Sequence, residues 1–376
     1  MRKPIMNVMV HKWYTRVFYG IQEIQLVRRI AAKYRFVLRF HESAENLQPS
    51  GSLSEARFAV VLGVDEHWLR ETIEGLCEKG IMPVLINGYN SFGQEISWIR
   101  VSQNAIIQDS LSYLQKKKKV NTALFGVQQN DTSDLQKWNA FQKYQKGMGV
   151  CYFYRGSGRE CFDKFFQELD HFDSVISVND IMTVYLLSEC RRRQVNLAEK
   201  MTIISNGLCP VSCFVTIPFL TYLYETAEQE QIIGKALRFL YSNNGIDSLQ
   251  VSCNINCVNR VWNTELRRIG EWGNCTKKQA EYIYSEEKLL ADDYKNDEAL
   301  REIQRINEAL RLCDATDIKI LASQLSEYRY SDMAEQLFLS EGALKSRIRK
   351  LYKGFGVSNR NELKNLLEQY SIRISP

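Results

Sequence analysis

Two successive runs of alternating strand-like and helix-like segments limit what this chain can fold into. In the first, Ile5-Val10, Phe36-Phe40, Arg57-Val64, Val84-Ile86 and Ser97-Val101 read as strands. Between them Val17-Tyr34, Trp68-Lys79 and Asn104-Lys117 read as helices, with Ile21, Ile24, Val27 and Ile30 in step along the first. In the second run the strands Val120-Val127, Val150-Tyr154, Ser174-Val178 and Met201-Ser205 alternate with helices Ser133-Lys146, Arg159-Leu169 and Ile181-Arg192. Strands such as RFAVVLGV are apolar almost throughout, not on every second residue. Continuous apolar strands between helices belong to parallel sheets covered on both faces. The expected fold class is therefore α/β, in two lobes, with Lys116 to Lys119 as a solvated helix end at the join.

The end of the chain follows a different rule. Tyr330 to Tyr370 reads as three helices separated by two sharp breaks. Met333, Ala334 and Leu337 mark one face of the first, and Ser340 offers an N-cap oxygen to the next. That second helix, Glu341-Phe355, is expected to bury Ala343, Leu344, Ile348 and Leu351. Its other side carries Lys345, Arg347, Arg349, Lys350 and Lys353 against the single acid Glu341. Gly356 can close it in a left-handed conformation, and Asn359 with Glu362 forms a capping box for the last helix. A short helix, a tight turn and a basic second helix suit a DNA major groove.

The 376 residues suffice for two or three domains, and a formal charge of +5 is too mild to announce a nucleic-acid partner by itself. Only the local cluster of cations does that. No apolar stretch is long enough for a signal peptide or a membrane span, so a cytoplasmic protein is expected. Ten cysteines then mean free thiols in a reducing compartment. Cys209/Cys213 and Cys253/Cys257 have CxxxC spacing, which zinc could use. They are read instead as small apolar core residues, because no histidine is near in sequence and metal knuckles use tighter loops. Gly156-Ser157-Gly158 lacks the lysine-serine ending of a phosphate loop and is read as a strand-to-helix turn. No acid pair, positioned nucleophile or metal set emerges, so neither an enzyme nor a cofactor is expected.

The run MAEQLFLSEGALKSRIRKLYKGFGVSNRNEL resembles the LuxR-type (GerE-type) helix-turn-helix of bacterial transcription regulators, over about the last sixty residues. By position, the resemblance places Lys345, Ser346 and Arg349 where that family touches bases and phosphates; Arg347 stands where a histidine is common. The middle of the chain, roughly residues 5–262, resembles the periplasmic-binding-protein-like sensor of LacI/GalR regulators. The carrying segments are GIMPVLING, SVNDIMTVYLLSECRRRQVNLAEKMTIIS and VTIPFLTYLYETAEQEQIIGKALRFL. That resemblance implies a sensor over 1–262. Its first lobe would take about 1–117 and 219–247, its second about 118–218 and 248–262. Thr221-Tyr241 would cross back to the first lobe and Gln250-Val258 return to the second.

The same resemblance puts a small-molecule effector in the cleft between the lobes, with Trp13, Tyr14, Lys137, Asn179 and Asn206 as candidate contacts. Lys137 stands where many members carry a sugar-binding arginine. Ser205-Asn206-Gly207-Leu208 replaces their Gly-aromatic-Asp-Asp step, while Asn179 and Asp180 are kept. Such carboxylates commonly hold sugar hydroxyls, so the effector is read as sugar-like or as another small molecule. Residues 263–313 read as a helical linker, with a capping box at Thr276 and Gln279. Ala299, Ile303, Ile306 and Leu310 recur there at four-three-four spacing, the seam of a homodimer or of packing on the sensor. Residues 314–376 form the DNA-binding domain. The whole reads as a regulator that binds double-stranded DNA under effector control. The alternative is a sensory module with weak DNA contact.

Overall fold

The computed structural model describes residues 4–374, apart from 13, 15–17, 48–54, 64, 88–95, 130, 208, 225, 244, 254–257, 270–293, 295 and 327. Trp13, Cys257 and the Thr276 to Gln279 capping box lie outside the described residues. In chain order the strands are β1 (Ile5–Val10), β2 (Val37–His41), β3 (Glu55–Leu62), β4 (Met82–Ile86), β5 (Ser97–Val101), β6 (Thr122–Gln128), β7 (Gly149–Tyr154), β8 (Ser174–Ser177), β9 (Thr202–Ser205), β10 (Leu220–Tyr224), β11 (Gln250–Cys253) and β12 (Val258–Trp262). They form two six-stranded sheets, ordered β11-β5-β4-β3-β1-β2 and β12-β10-β9-β8-β6-β7. The chain divides into two compact units, one around each sheet, and the C-terminal helices belong to the second.

In the first unit β1 pairs in parallel with both β2 and β3, in register Val8↔Phe40 and Val8↔Val60. Parallel pairing continues through β4 and β5. Helix Glu66–Glu78 covers one face, packing Leu69, Ile73 and Leu76 onto Met9, Val61 and Leu85. In the second unit β6 lies between β8 and the edge strand β7, parallel to both, and β9 follows β8. Six of the seven β6 residues are buried, as a strand covered on both faces must be. At Gly126 the chain turns to φ +88°, where a Cβ would lie 2.6 Å from Met182, so glycine is required for the bulge between Phe125 and Val127. In both sheets the winding reverses beside the first strand of the unit. Crevices at the carboxyl ends of such reversals are where open α/β sheets hold ligands.

Two expectations about the crossings are corrected. Leu220–Tyr224 is a strand of the second sheet, parallel to β9, and not the start of the returning helix. The return begins with helix Thr226–Ser242, which packs on Phe18–Tyr34; the Glu230 carboxylate there accepts from Arg29 at 3.1 Å. Gln250–Cys253 then pairs with Ser97–Val101 in the first sheet instead of returning to the second. The physical reason is the short connection after the helix. The Arg57 guanidinium donates to the carbonyls of Asn243 and Ile246 at 2.7 and 2.6 Å, which holds that connection on the first unit.

Of the two readings of the seam from Ala299 to Leu310, a homodimer contact or packing on the sensor, the structure shows the second. Helix Glu298–Arg311 buries Leu300, Ile303 and Ile306 completely, and Leu310 to 4% exposure. They pack against helix Asp180–Arg192, the turn Pro210–Phe214 and helix Glu341–Phe355 of the same unit. An apolar face so covered has nothing to offer a second copy.

Candidate nucleic-acid interface and ligand-binding edge

The C-terminal helices run Ala315–Leu325, Tyr330–Gln336, Glu341–Phe355 and Arg360–Gln369. Their ends carry the caps that the sequence announces. Ser340 Oγ accepts from the Ala343 N–H at 3.2 Å, Gly356 closes the basic helix at φ 72°, and Asn359 Oδ1 accepts from the Glu362 N–H at 3.0 Å. The turn before Ser340 passes through Phe338 at φ 54°, with its ring 96% exposed. Leu344, Ile348, Leu351 and Phe355 point into the bundle, whereas Ala343, expected inside, is exposed because it lies in the first turn beyond the bundle's edge.

With that face fixed, Lys345, Ser346, Arg349, Lys350 and Lys353 are forced outward and exposed. Lys345 Nζ meets the Glu341 carboxylate at 3.3 Å, an exposed pair four residues apart that holds it only weakly. Arg347 differs from its neighbours. Its Nη1 donates to the carboxylates of Asp314, at 2.9 Å, and Asp317, at 2.7 Å, the two residues that cap helix Ala315–Leu325. These carboxylates favour its charged form further, so Arg347 braces two helices and is not one of the outward cations.

This set of helices is fastened to the second α/β unit. The chain end adds an antiparallel bridge from Ile372 to Val215, and the Thr216 N–H donates to the Ser371 carbonyl at 2.8 Å. Arg191 donates to the Glu368 carbonyl at 2.5 Å and to Ser371 Oγ at 3.0 Å. Tyr370, 1% exposed, donates to the Glu302 carboxylate at 2.7 Å. Asn307 Oδ1 accepts from the Val211 N–H at 3.2 Å. Helix Glu298–Arg311 is thus a shared core element with no exposed apolar seam.

The candidate ligand contacts separate on inspection. Lys137 is 6% exposed; its Nζ donates to Asp134 at 2.8 Å and to the Val178 carbonyl at 3.0 Å, while Asp134 accepts from the Gln128 N–H. Burial pushes the Asp134 carboxyl up to about 6, against the pull of Lys137. The pair stitches the ends of β6 and β8 together, so Lys137 is a structural cation and not a free ligand contact. Tyr14 is 2% exposed and gives its hydroxyl to Glu23, which leaves it no outward group. Asn179 and Asn206 follow β8 and β9. Asn179 caps helix Asp180–Arg192 and donates to Tyr294 Oη at 3.2 Å. Asn206 is 9% exposed, and among the described residues neither of its amide atoms has a hydrogen-bond partner.

Beside them Asp180 is fully buried. It accepts from Ser205, Ser212, the Cys209 N–H and Thr221. Burial still pushes its carboxyl up to about 6. Sequence reasoning missed Tyr294 and Asp297, which lie at this same edge. Asp297 was legible as an aspartate before a helical apolar face; nothing local marks Tyr294. Among the described residues no cluster of histidine, cysteine, aspartate or glutamate could hold a metal, and no helix is long and apolar enough to cross a membrane.

No protein-family model matches the chain, and no curated protein matches its sequence. The fold recurs in solved structures. A Lac repressor bound to ONPG in its repressed state is 11% identical with a TM-score of 0.50, covering 70% of this chain and 82% of that one. The transcription regulator CcpA of Lactococcus lactis is 14% identical with a TM-score of 0.51, covering 69% and 98%. A carbohydrate transporter from Acidothermus cellulolyticus 11B in complex with myo-inositol is 11% identical with a TM-score of 0.50, covering 72% and 98%. Identities this low establish a shared two-unit α/β fold with parallel sheets, and the fold alone.

Proposed function

We propose that this chain is a DNA-binding transcription regulator of the cytoplasm, in which an α/β sensor binds a small molecule and governs a LuxR-type helix-turn-helix. The observation that carries the reading is the outward face of Glu341–Phe355. Lys345, Ser346, Arg349, Lys350 and Lys353 share it, and the buried Leu344, Ile348, Leu351 and Phe355 leave the helix no other orientation. Recognition helices enter the groove by their first turns, so Lys345 and Ser346 take the bases and Arg349, Lys350 and Lys353 the phosphates. Arg347, engaged with Asp314 and Asp317, supports the helix from behind.

On the sensor side, the Lac repressor and CcpA likenesses support a regulatory role, and the carboxyl ends of the parallel strands are where such sheets take ligands. Asn179 and Asn206 are the candidates there among the described residues, and Trp13 lies outside them. If the regulator reads DNA as a homodimer, surfaces other than Ile303 and Ile306 join the copies. Titration of the full chain onto labelled duplex DNA at several salt concentrations tests the reading. Affinity should fall with a log–log slope set by the phosphates contacted. A chain with no salt-dependent retention on DNA is a sensory module only.

A further inference from the structure

The second unit carries an occupant of its own at the ligand-holding edge. Tyr294 is 3% exposed. Its hydroxyl accepts from Asn179 Nδ2 at 3.2 Å, and its ring meets Tyr154 edge to face with centroids 5.3 Å apart. Three residues on, the Asp297 carboxylate serves two helices at once. Oδ1 accepts from the Leu300 N–H at 3.1 Å and caps helix Glu298–Arg311. Oδ2 accepts from the Gly158 N–H at 2.6 Å, in the first turn of the ten-residue helix Gly158–Gln167. A Cβ at Gly158 would stand 2.8 Å from that oxygen, so the approach needs glycine.

Tyr154 ends β7, Gly158 follows it and Asn179 follows β8; β7 and β8 flank β6, where the winding of the sheet reverses. Next to Asn179, at the end of β9, stands the buried Asn206 amide with no partner among the described residues. The edge therefore presents an aromatic wall, an amide donor to a phenolic oxygen, an N–H donor to a carboxylate and one unused amide.

We propose that this edge is a binding site for a hydroxyaromatic carboxylate. The chain's own Tyr294 hydroxyphenyl and Asp297 carboxylate fill it when no ligand is bound, and an effector of the same chemistry displaces them. The proposal deepens the effector reading above and rests on it. A tethered occupant acts at an effective concentration of order millimolar, so the free site is much tighter than the site a ligand meets in the intact chain. Displacement removes the Asp297 cap from Glu298–Arg311. That helix packs on both the α/β core and Glu341–Phe355, so the signal needs no second site to reach the basic helix.

The test uses the full chain, the Tyr294→Ala/Asp297→Asn double variant and 4-hydroxyphenylacetate as probe. Asparagine caps a helix as well as aspartate does, so the start of Glu298–Arg311 is retained. Calorimetric titration should show the probe binding the variant at least tenfold more tightly than the intact chain. Phenylacetate, without the hydroxyl, should bind more weakly to both. Equal affinity for the two chains, or no binding to the folded variant, overturns the proposal. Hydrogen exchange on the intact chain guards against a variant that does not fold. Saturating probe should speed exchange of the Leu300 amide at least threefold, and an unchanged rate also overturns it. Neither readout involves DNA, so failure here is distinct from failure of the DNA-binding helix.

Discussion

Helices Glu298–Arg311 and Glu341–Phe355 are alike as sequences. Each repeats apolar residues at three and four, each is rich in charge, and each begins at a polar cap, Asp297 or Ser340. In the structure their roles are opposed. The first is an internal beam, with Ile303 and Ile306 fully buried between the α/β core and the C-terminal helices. The second buries one face and gives the other, with Lys345, Arg349, Lys350 and Lys353, entirely to water. Amphipathic periodicity tells which face is covered and says nothing about what covers it. A substitution at a covered face should cost stability; one at the open face should cost only a partner.

The strongest way to break that comparison is Ile303→Asp. A lone carboxylate in a fully buried position has no partner, and the loss should be on the order of 4–5 kcal/mol, enough to unfold the second unit. Denaturant titration followed by circular dichroism checks it. A folded chain whose only change is a smaller sedimenting mass would restore the dimer seam.

Next in size is the pH dependence of the buried carboxyl that helix Asp180–Arg192 brings to the same core. Burial lifts Asp180 to about 6, above its unfolded range, so the folded chain holds that proton more tightly. Its contribution is full below about pH 4 and is lost as pH rises through about 6. Asp180→Asn has no such proton. The stability advantage of the native chain over the variant should narrow by up to ~3 kcal/mol between pH 4 and 7. A constant gap would mean that the four donors around Asp180 outweigh burial.

Arg347→Ala sharpens the contrast within one helix. Removing the guanidinium takes a charged donor from the buried Asp317 carboxylate, which keeps the Asp314 N–H, and about 1–2 kcal/mol of stability should go, discounted because Arg347 is one-third exposed. DNA affinity per folded molecule should hold. If it falls as far as for Arg349→Ala, Arg347 belongs to the outward set after all.

The same contrast explains what was readable in the sequence. Arg57–Leu62 and Thr122–Gln128 were legible because an unbroken apolar strand has one environment, a sheet covered twice. Ser340, Gly356 and Asn359 were legible because caps are local chemistry. Gln250–Cys253 was assigned to the wrong sheet, since a short half-exposed strand carries no address and its place depends on Arg57 holding the preceding loop. Lys137 resembled a ligand contact by position, and only the fold reveals Asp134 and the Val178 carbonyl around its ammonium. Tyr294 was invisible for the same reason: its partners Tyr154 and Asn179 are more than a hundred residues away.

The smallest effects on stability should come from the open face, and they carry the largest consequence for function. Arg349→Ala and Lys345→Ala remove no core contact, so each should leave stability within about 0.5 kcal/mol. The direct test of the central claim is a gel-shift titration of both variants on the operator and on competitor DNA, across salt. Arg349→Ala should weaken binding to every sequence and lower the salt slope by roughly one unit. Lys345→Ala should cost about 1–3 kcal/mol more on the operator than on random DNA. Unchanged affinity and slope for both variants would contradict the account, because Glu341–Phe355 would then not lie in the groove.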